Sequence, residues 1–380
     1  MMPARPLLDR RVLASLEATP RRIPVLLGPC GSGRTSALMR LREHFGRATS
    51  QYVDVERVAT TPERFLASLR ADSPFSPPAG LATTTDGTAR EAFDALLAFL
   101  AGARASGGGP ATFFLDEVLE LRTFESFPGL RSVLRDLVTG LAPSPNRFVL
   151  TSRYLARAQR LLRDAPSQFE LIAVPPLSVP EAHAALADMG GAIDEETMRA
   201  IHALADGRPA YVRAIASATR AMRSHGPGDP VAALTDLLAP AGALFAWCRF
   251  CYELRLHRAR GYGALKAILE VLSAEEPLTL TEIAHRLRRT PGSTKDYLSW
   301  LEDVDLIESK QKRYRFADPL LRLWVRLHCR PAPIADDDLA REVHSYAMAR
   351  LPQPGPPPAP EPTPALALAG VPADGIIEID

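Results

Sequence analysis

Eight consecutive residues, Gly28-Pro29-Cys30-Gly31-Ser32-Gly33-Arg34-Thr35, carry the densest chemical signal in this 380-residue chain. Glycines at the first, fourth and sixth places let successive backbone N–H groups turn inward, as a cradle for phosphate oxygens requires. The stretch from Ser36 to Leu41 reads as a helix, whose positive end aims at the same anion. Gly28 through Ser36 are therefore the candidate phosphate-binding residues, with the Thr35 hydroxyl also offered to Mg²⁺. The spacing is G-x-x-x-x-G-K-[ST], except that Arg34 stands where lysine belongs. A planar guanidinium neutralises phosphate charge, but it does not fill the slot of a compact ammonium.

Two further segments supply the remainder of a hydrolytic site. Phe113-Phe114-Leu115-Asp116-Glu117 is an apolar strand ending in paired acids. Asp116 is placed to hold the Mg²⁺ shell, and Glu117 to orient and polarise an attacking water. A third apolar run ends in Thr151-Ser152-Arg153, where Ser152 and Arg153 can sense a terminal phosphate lying between the other two segments.

Such groups must be held level by a sheet. Apolar runs at Ile23–Leu27, Gln51–Val55, Thr112–Leu115, Arg147–Leu150 and Phe169–Val174 suit strands buried on both faces. Helical stretches such as Ala89–Ala101 and Gly129–Leu141 separate them, so a doubly wound α/β layer is expected up to about residue 175. From Pro180 the pattern is helical: Pro180–Asp188, Glu195–Ala205 and Pro209–Ser224. Further on, Gly261–Ser273, Thr281–Leu287 (capped by Thr279 or Thr281) and Ser293–Val304 precede a two-stranded wing over 306–316. Tyr297, Leu298, Trp300, Leu301 and Val304 are expected to face inward. Three helices and a wing predict a winged helix-turn-helix.

Composition sets limits on the rest. A net charge of +1 excludes a polybasic coat, although the chain has four lysines against 41 arginines. Four cysteines fit a reducing cytosol better than a disulfide scaffold. The opening MMPARPLLDRR lacks the apolar block of a signal peptide, and Leu237–Cys248 is too short to span a bilayer. A cytoplasmic protein without a membrane anchor is expected. Nine of the 35 prolines fall in the last thirty residues, so 351–380 reads as a disordered, proline-rich acidic tail. Cys248 and Cys251 have zinc-like spacing but no second pair, which favours buried helix cysteines.

The set GPCGSGRTS, FFLDE and FVLTSR resembles the STAND branch of AAA+-related P-loop ATPases, especially the archaeal-type ATPases found also in bacteria. Pro176-Leu177-Ser178 with Glu181-Ala182 is similar to that group's lead into a helical lid. Gly207-Arg208-Pro209 is similar to its Gly-x-Pro segment, which implies that Pro209 sits near the nucleotide. Asp318-Pro319-Leu320-Leu321-Arg322-Leu323-Trp324 resembles the segment that ends the C-terminal domain. The resemblance implies ATP and ADP as ligands, Mg²⁺ as cofactor and a sheet order of 5-1-4-3-2. The implied division is a P-loop NTPase core over 1–175, a helical lid over 176–245 and a winged helix over 246–330. A terminal helix over 331–350 and the tail follow.

Three readings of function stay open. One is an ATP-hydrolysing switch that signals to a protein partner through lid and winged helix. Another is a degenerate sensor that binds nucleotide with little hydrolysis, Arg34 being the lesion. A third is a DNA-binding AAA+ regulator or initiator, using Lys310, Lys312, Arg313 and Arg315 of the wing on phosphates. The third helix argues against it, because Lys295 is its one cation beside Asp296, Glu302 and Asp303. A homo-oligomer would need an arginine acting in trans, for which Arg131 and Arg135 are candidates.

Overall fold

The computed structural model describes residues 5–78, 87–187, 193–223, 228–259, 262–330 and 333–351. Its first half alternates strand and helix. Helix α1 (Pro6–Glu17) leads into β1 (Ile23–Leu27) and α2 (Arg34–Phe45). Strand β2 (Ser50–Asp54) is followed by α3 (Val55–Val58), α4 (Pro62–Ala71) and α5 (Ala89–Gly102). Then come β3 (Thr112–Asp116), a 3₁₀ segment (Val118–Ser126), α6 (Val133–Leu141), β4 (Arg147–Ser152), α7 (Leu155–Leu162) and β5 (Phe169–Ala173).

The five strands form one parallel sheet in the order β2-β3-β4-β1-β5. Its core follows from two-residue alternation along fully buried strands. On β1, Ile23, Val25 and Leu27 join the large cluster on one face, while Leu26 joins Leu8, Val12, Leu38 and Leu41 of α1 and α2 on the other. On β3, Phe113 and Leu115 face one way and Phe114 the other. Register pairs Leu27 with Ser152 and Leu115 with Leu150, so Gly28, Asp116 and Ser152 emerge at one level. Those carboxyl ends flank the place where chain order reverses, between β1 and β4, which is where open α/β sheets bind ligands.

The second half begins with α8 (Val179–Ala187), α9 (Glu195–Leu204), α10 (Pro209–Arg223) and α11 (Pro230–Leu238). Next, α12 (Ala243–Arg258) carries the chain to α13 (Tyr262–Ala274), β6 (Leu278–Thr279), α14 (Leu280–Arg286), α15 (Pro291–Asp303), β7 (Ile307–Lys310) and β8 (Arg313–Phe316). These last elements make a winged helix-turn-helix. The expected two-stranded wing is the β7–β8 hairpin, and β6 joins it in a three-stranded sheet of order β6-β8-β7, Leu278 and Thr279 pairing with Tyr314 and Arg313. Helices α16 (Pro319–His328) and α17 (Asp336–Met348) close the described fold.

Local chemistry explains most boundaries. Thr279 caps α14 in a reciprocal capping box with Glu282. The expected start of α15 at Ser293 is corrected to Pro291, since Thr290 is the cap and proline takes the first helical position. The expected helix from Gly129 begins only at Val133, because Gly129 has φ +79° and the chain is still turning. Leu298, Leu301 and Val304 are buried as expected, with Tyr297 and Trp300 packed partly against them. The tail from 352, including Ile376, Ile377 and Ile379, lies outside the described residues. Among the described residues no single helix is long and apolar enough to cross a membrane.

Candidate nucleotide-binding site

Strand β1 ends at Leu27, and the loop from Gly28 to Gly33 delivers the chain to α2. Gly31 and Gly33 adopt φ +78° and +90°, the left-handed region that other residues enter only with strain. A Cβ on Gly31 would lie 2.9 Å from the Ala210 methyl, so α10 rests directly on the loop. The Ala210 N–H also donates to the Gly31 carbonyl at 3.3 Å. Over the loop lies a cavity of about 240 Å³ lined by Gly31 through Ser36 with Arg5, Pro209, Arg213 and Trp247. Three larger cavities elsewhere have no glycine in their lining.

Asp116 closes β3 and receives three hydroxyls. Thr35 donates at 2.6 Å, Tyr52 at 2.9 Å, and Thr151 donates to the other carboxylate oxygen. Burial and the Asp116 charge push the Tyr52 phenol well up, so it stays a donor. Among the described residues no group of three or more His, Cys, Asp or Glu side chains could hold a metal ion. The Thr35 hydroxyl and the Asp116 carboxylate, 2.6 Å apart, are oxygen donors of the type Mg²⁺ takes while completing its shell with water and phosphate.

Glu117 follows in a left-handed conformation, φ 55°, with its N–H donated to Thr151 Oγ1 at 2.9 Å. Its carboxylate is gripped from two sides. Arg34 pairs with one oxygen, while the other accepts the Arg153 N–H at 3.0 Å and lies 3.2 Å from Arg153 Nε. Burial raises the Glu117 pKa, against the pull of Arg34 and Arg153. Arg153 loses solvation on burial, yet Glu117, Cys30, Tyr154 and Glu56 hold its pKa above the ordinary value. It pairs with Glu56 and lies 3.9 Å from Glu120 as well. Arg34 Nε and Nη1 and the Ser32 hydroxyl are buried without partners. Those orphaned donors, beside a loop of left-handed glycines, are a donor set that fits polyphosphate.

Not every expected residue faces the cavity. Ser152 is fully buried and its hydroxyl accepts the Tyr154 N–H at 3.0 Å, which shapes the start of α7. Gly28 and Pro29 support the loop from below, and the Gly28 N–H donates to the Ser152 carbonyl at 3.4 Å. Arg131 and Arg135 are exposed on the surface. Other residues enter without a sequence signal. Arg5 is 1% exposed and donates to the Ser32 and Pro176 carbonyls at 3.3 Å, tying the N-terminal segment to the loop and to the approach to α8. Trp247 comes from α12, more than two hundred positions downstream of the loop.

The winged helix leans on this site. Asp305, in a left-handed turn after α15, accepts the Leu155 N–H at the head of α7 at 2.9 Å, and its carbonyl accepts from buried Arg255 at 2.9 Å. Asp303 pairs with Arg160, and Trp300 helps line a cleft against Tyr154 and Arg157. The C-terminal end of α15 thus packs against α7. On the wing, Arg313 lies 3.6 Å from Glu282 and Arg315 pairs with Glu308.

Burial pushes the Asp305 pKa up to about 7, even though Arg255 and the Leu155 N–H favour its charge. A carboxyl raised in the folded state holds its proton there while the unfolded chain has lost it. Its contribution to stability therefore falls as pH climbs from about 4 and levels off above about 7. Wild type should lose melting temperature relative to Asp305→Asn across that window. A difference that rises with pH would refute the assignment.

No protein-family model matches the chain, and a search of curated proteins finds no match. Solved structures do match. A Walker-type ATPase from Pyrococcus abyssi is 19% identical over 86% of this chain and 96% of its own, with a TM-score of 0.65. The Aeropyrum pernix ORC2 protein, solved as ADPNP–ADP complexes, is 16% identical over 90% of this chain and 92% of its own, with a TM-score of 0.50. With its parallel sheet, glycine loop and C-terminal winged helix, the chain has the P-loop NTPase fold that these two structures share.

Proposed function

We propose that the chain binds ATP with Mg²⁺, hydrolyses it, and passes its nucleotide state to a protein partner through the lid and the winged helix. The observation that carries the reading is the Thr35–Asp116 contact at 2.6 Å beside Glu117, at the mouth of the glycine loop. The ORC2 relative's nucleotide complexes support the same ligand class. Bound Mg²⁺ would neutralise charge on the phosphates. The loop amides, Ser32 and Arg34 would hold the phosphate oxygens, Thr35 and Asp116 the cation, and Glu117 a water. Arg153 would report the terminal phosphate to Glu56 and to the start of α7. A cavity of about 240 Å³ is smaller than the roughly 300–1,000 Å³ usual for ligand sites, so its walls would have to widen to admit a nucleotide.

One observation favours the sensor reading instead: Arg34 is already paired with Glu117, the candidate base. Mg²⁺-ATP affinity and phosphate release by wild type and Arg34→Lys separate the two. The switch reading expects turnover in both proteins. A sensor expects binding without turnover in wild type, and recovery with lysine. Absence of nucleotide binding in both proteins would sink the proposal. The DNA alternative draws little support, since the C-terminal end of α15 packs against α7 and two wing arginines are paired.

A further inference from the structure

A cavity of about 580 Å³ opens where α12, α13 and α16 meet, within the roughly 300–1,000 Å³ usual for ligand sites. Trp324 is the hub of its aromatic wall, with the ring centroids of Phe245, Tyr252 and His328 at 5.9, 5.4 and 5.8 Å. His328 donates to the Leu238 carbonyl at 2.9 Å, and burial lowers its pKa, so the ring stays neutral. Tyr252 and Trp324 are 3% and 4% exposed, and the Tyr252 hydroxyl and the Trp324 indole N–H are buried without partners. Such orphans are rare in folded proteins and call for an explanation.

The charges on the cavity's rim are unequally matched. Arg249 pairs with Glu253 at 3.1 Å, and Arg330 with Glu342 at 3.3 Å. Lys266 and Glu270 line the same cavity one turn apart on α13, yet among the described residues neither has an ion-pair partner. The Lys266 ammonium lies instead 4.3 Å from the centroid of the Tyr262 ring. Lysine ahead of glutamate is the weaker order for a pair four residues apart, so little holds the two together. One cation and one anion, side by side over an aromatic wall, match a ligand that carries both charges on an apolar body.

We propose that this cavity binds a free α-amino acid with a large apolar side chain. Lys266 takes the carboxylate, Glu270 takes the ammonium, and the side chain lies against Phe245, Tyr252 and Trp324. The indole N–H can only donate, and the ligand carboxylate supplies an acceptor for it. A polyphosphate is a poor occupant, because the lining sets two carboxylates against three cations and has no glycine loop. The proposal stands apart from the nucleotide reading, since the two cavities share no lining residue. Helix α12 serves both, through Trp247 in one and Tyr252 in the other.

The test titrates the full-length chain by calorimetry with L-phenylalanine, L-tryptophan and L-leucine. Two analogues accompany them: L-phenylalaninamide lacks the carboxylate, and 3-phenylpropionate lacks the ammonium. L-phenylalanine is expected to bind roughly tenfold more tightly than either analogue, the worth of one charged hydrogen bond. Lys266→Met should erase its advantage over the amide, and Glu270→Gln its advantage over 3-phenylpropionate. Cys329 also lines the cavity and is half-buried, so bound L-phenylalanine should slow its alkylation by iodoacetamide, read by peptide mapping, while that of Cys30 is unchanged. No saturable binding of any of the three amino acids overturns the proposal. So do equal affinities for L-phenylalanine and its analogues, binding unaltered in both variants, or a Cys329 that stays unprotected.

Discussion

Glu117→Gln is expected to lower phosphate release by roughly 10²–10⁴-fold, the share that a positioned general base contributes. The amide keeps the shape and one acceptor for the Arg153 N–H, bonded at 3.0 Å, so the loop should hold its form. What it loses is the charge that pairs with Arg34. In wild type, Glu117 engages one Arg34 nitrogen and draws on its charge, so a phosphate that took the free Nε and Nη1 would compete for the same cation. The variant should therefore bind Mg²⁺-ATP at least as tightly as wild type while turning it over far more slowly. Titration with a fluorescent ATP analogue and a phosphate-release assay check both halves. Unchanged turnover would remove Glu117 from the reaction. Weaker binding would mean that the Arg34–Glu117 pair supports the loop rather than competing with the ligand.

Asp318→Ala is expected to give the largest loss of stability. Asp318 accepts from Arg208 at 2.8 Å and from Tyr211 at 2.7 Å, and it caps α16 by accepting the Leu320 and Leu321 N–H groups at 3.0 and 3.2 Å. The Arg208 and Asp318 side chains are 7% and 5% exposed. Removing one partner of such a pair strands a buried charge, at a cost of about 3–5 kcal/mol. Burial works against the Arg208 charge, and Asp318, Tyr211 and Asp206 together hold its pKa above the usual value. Because Arg208 lies just before α10 and Asp318 just before α16, the loss should also loosen the lid from the C-terminal helices. A melting temperature lower by about 10 °C is the expected readout. Asp318→Asn, which keeps the cap, should fall between the two. A loss below about 1 kcal/mol for alanine would show that the pair is compensated by water.

The strands were legible within one or two residues, because β1, β3 and β4 are continuous apolar runs ending in Gly28, the Asp116–Glu117 pair and Thr151-Ser152-Arg153. Their order was not; apolar runs carry no information about neighbours, and only the resemblance implied it. The glycine loop and its acids were legible because backbone conformation and metal chemistry demand those residue types in short spans. Arg5, Tyr52 and Trp247 were invisible for the opposite reason. Each reaches the site by tertiary approach, on elements whose local pattern reads as ordinary helix or strand. Thr151 was visible only as part of a strand ending, and its task is to bridge Asp116 and the Glu117 backbone. Arg34 was legible as an anomaly, but its pairing with Glu117 depends on β1 and β3 emerging side by side across β4.

Arg255 couples the winged helix to α12. Its guanidinium donates to the Asp305 carbonyl at 2.9 Å, its Nε has no partner, and the side chain is 2% exposed. Lifting the turn after α15 while α12 stayed in place would leave that cation buried without its acceptor. Such a position is costly, so the turn and α12 are expected to move together.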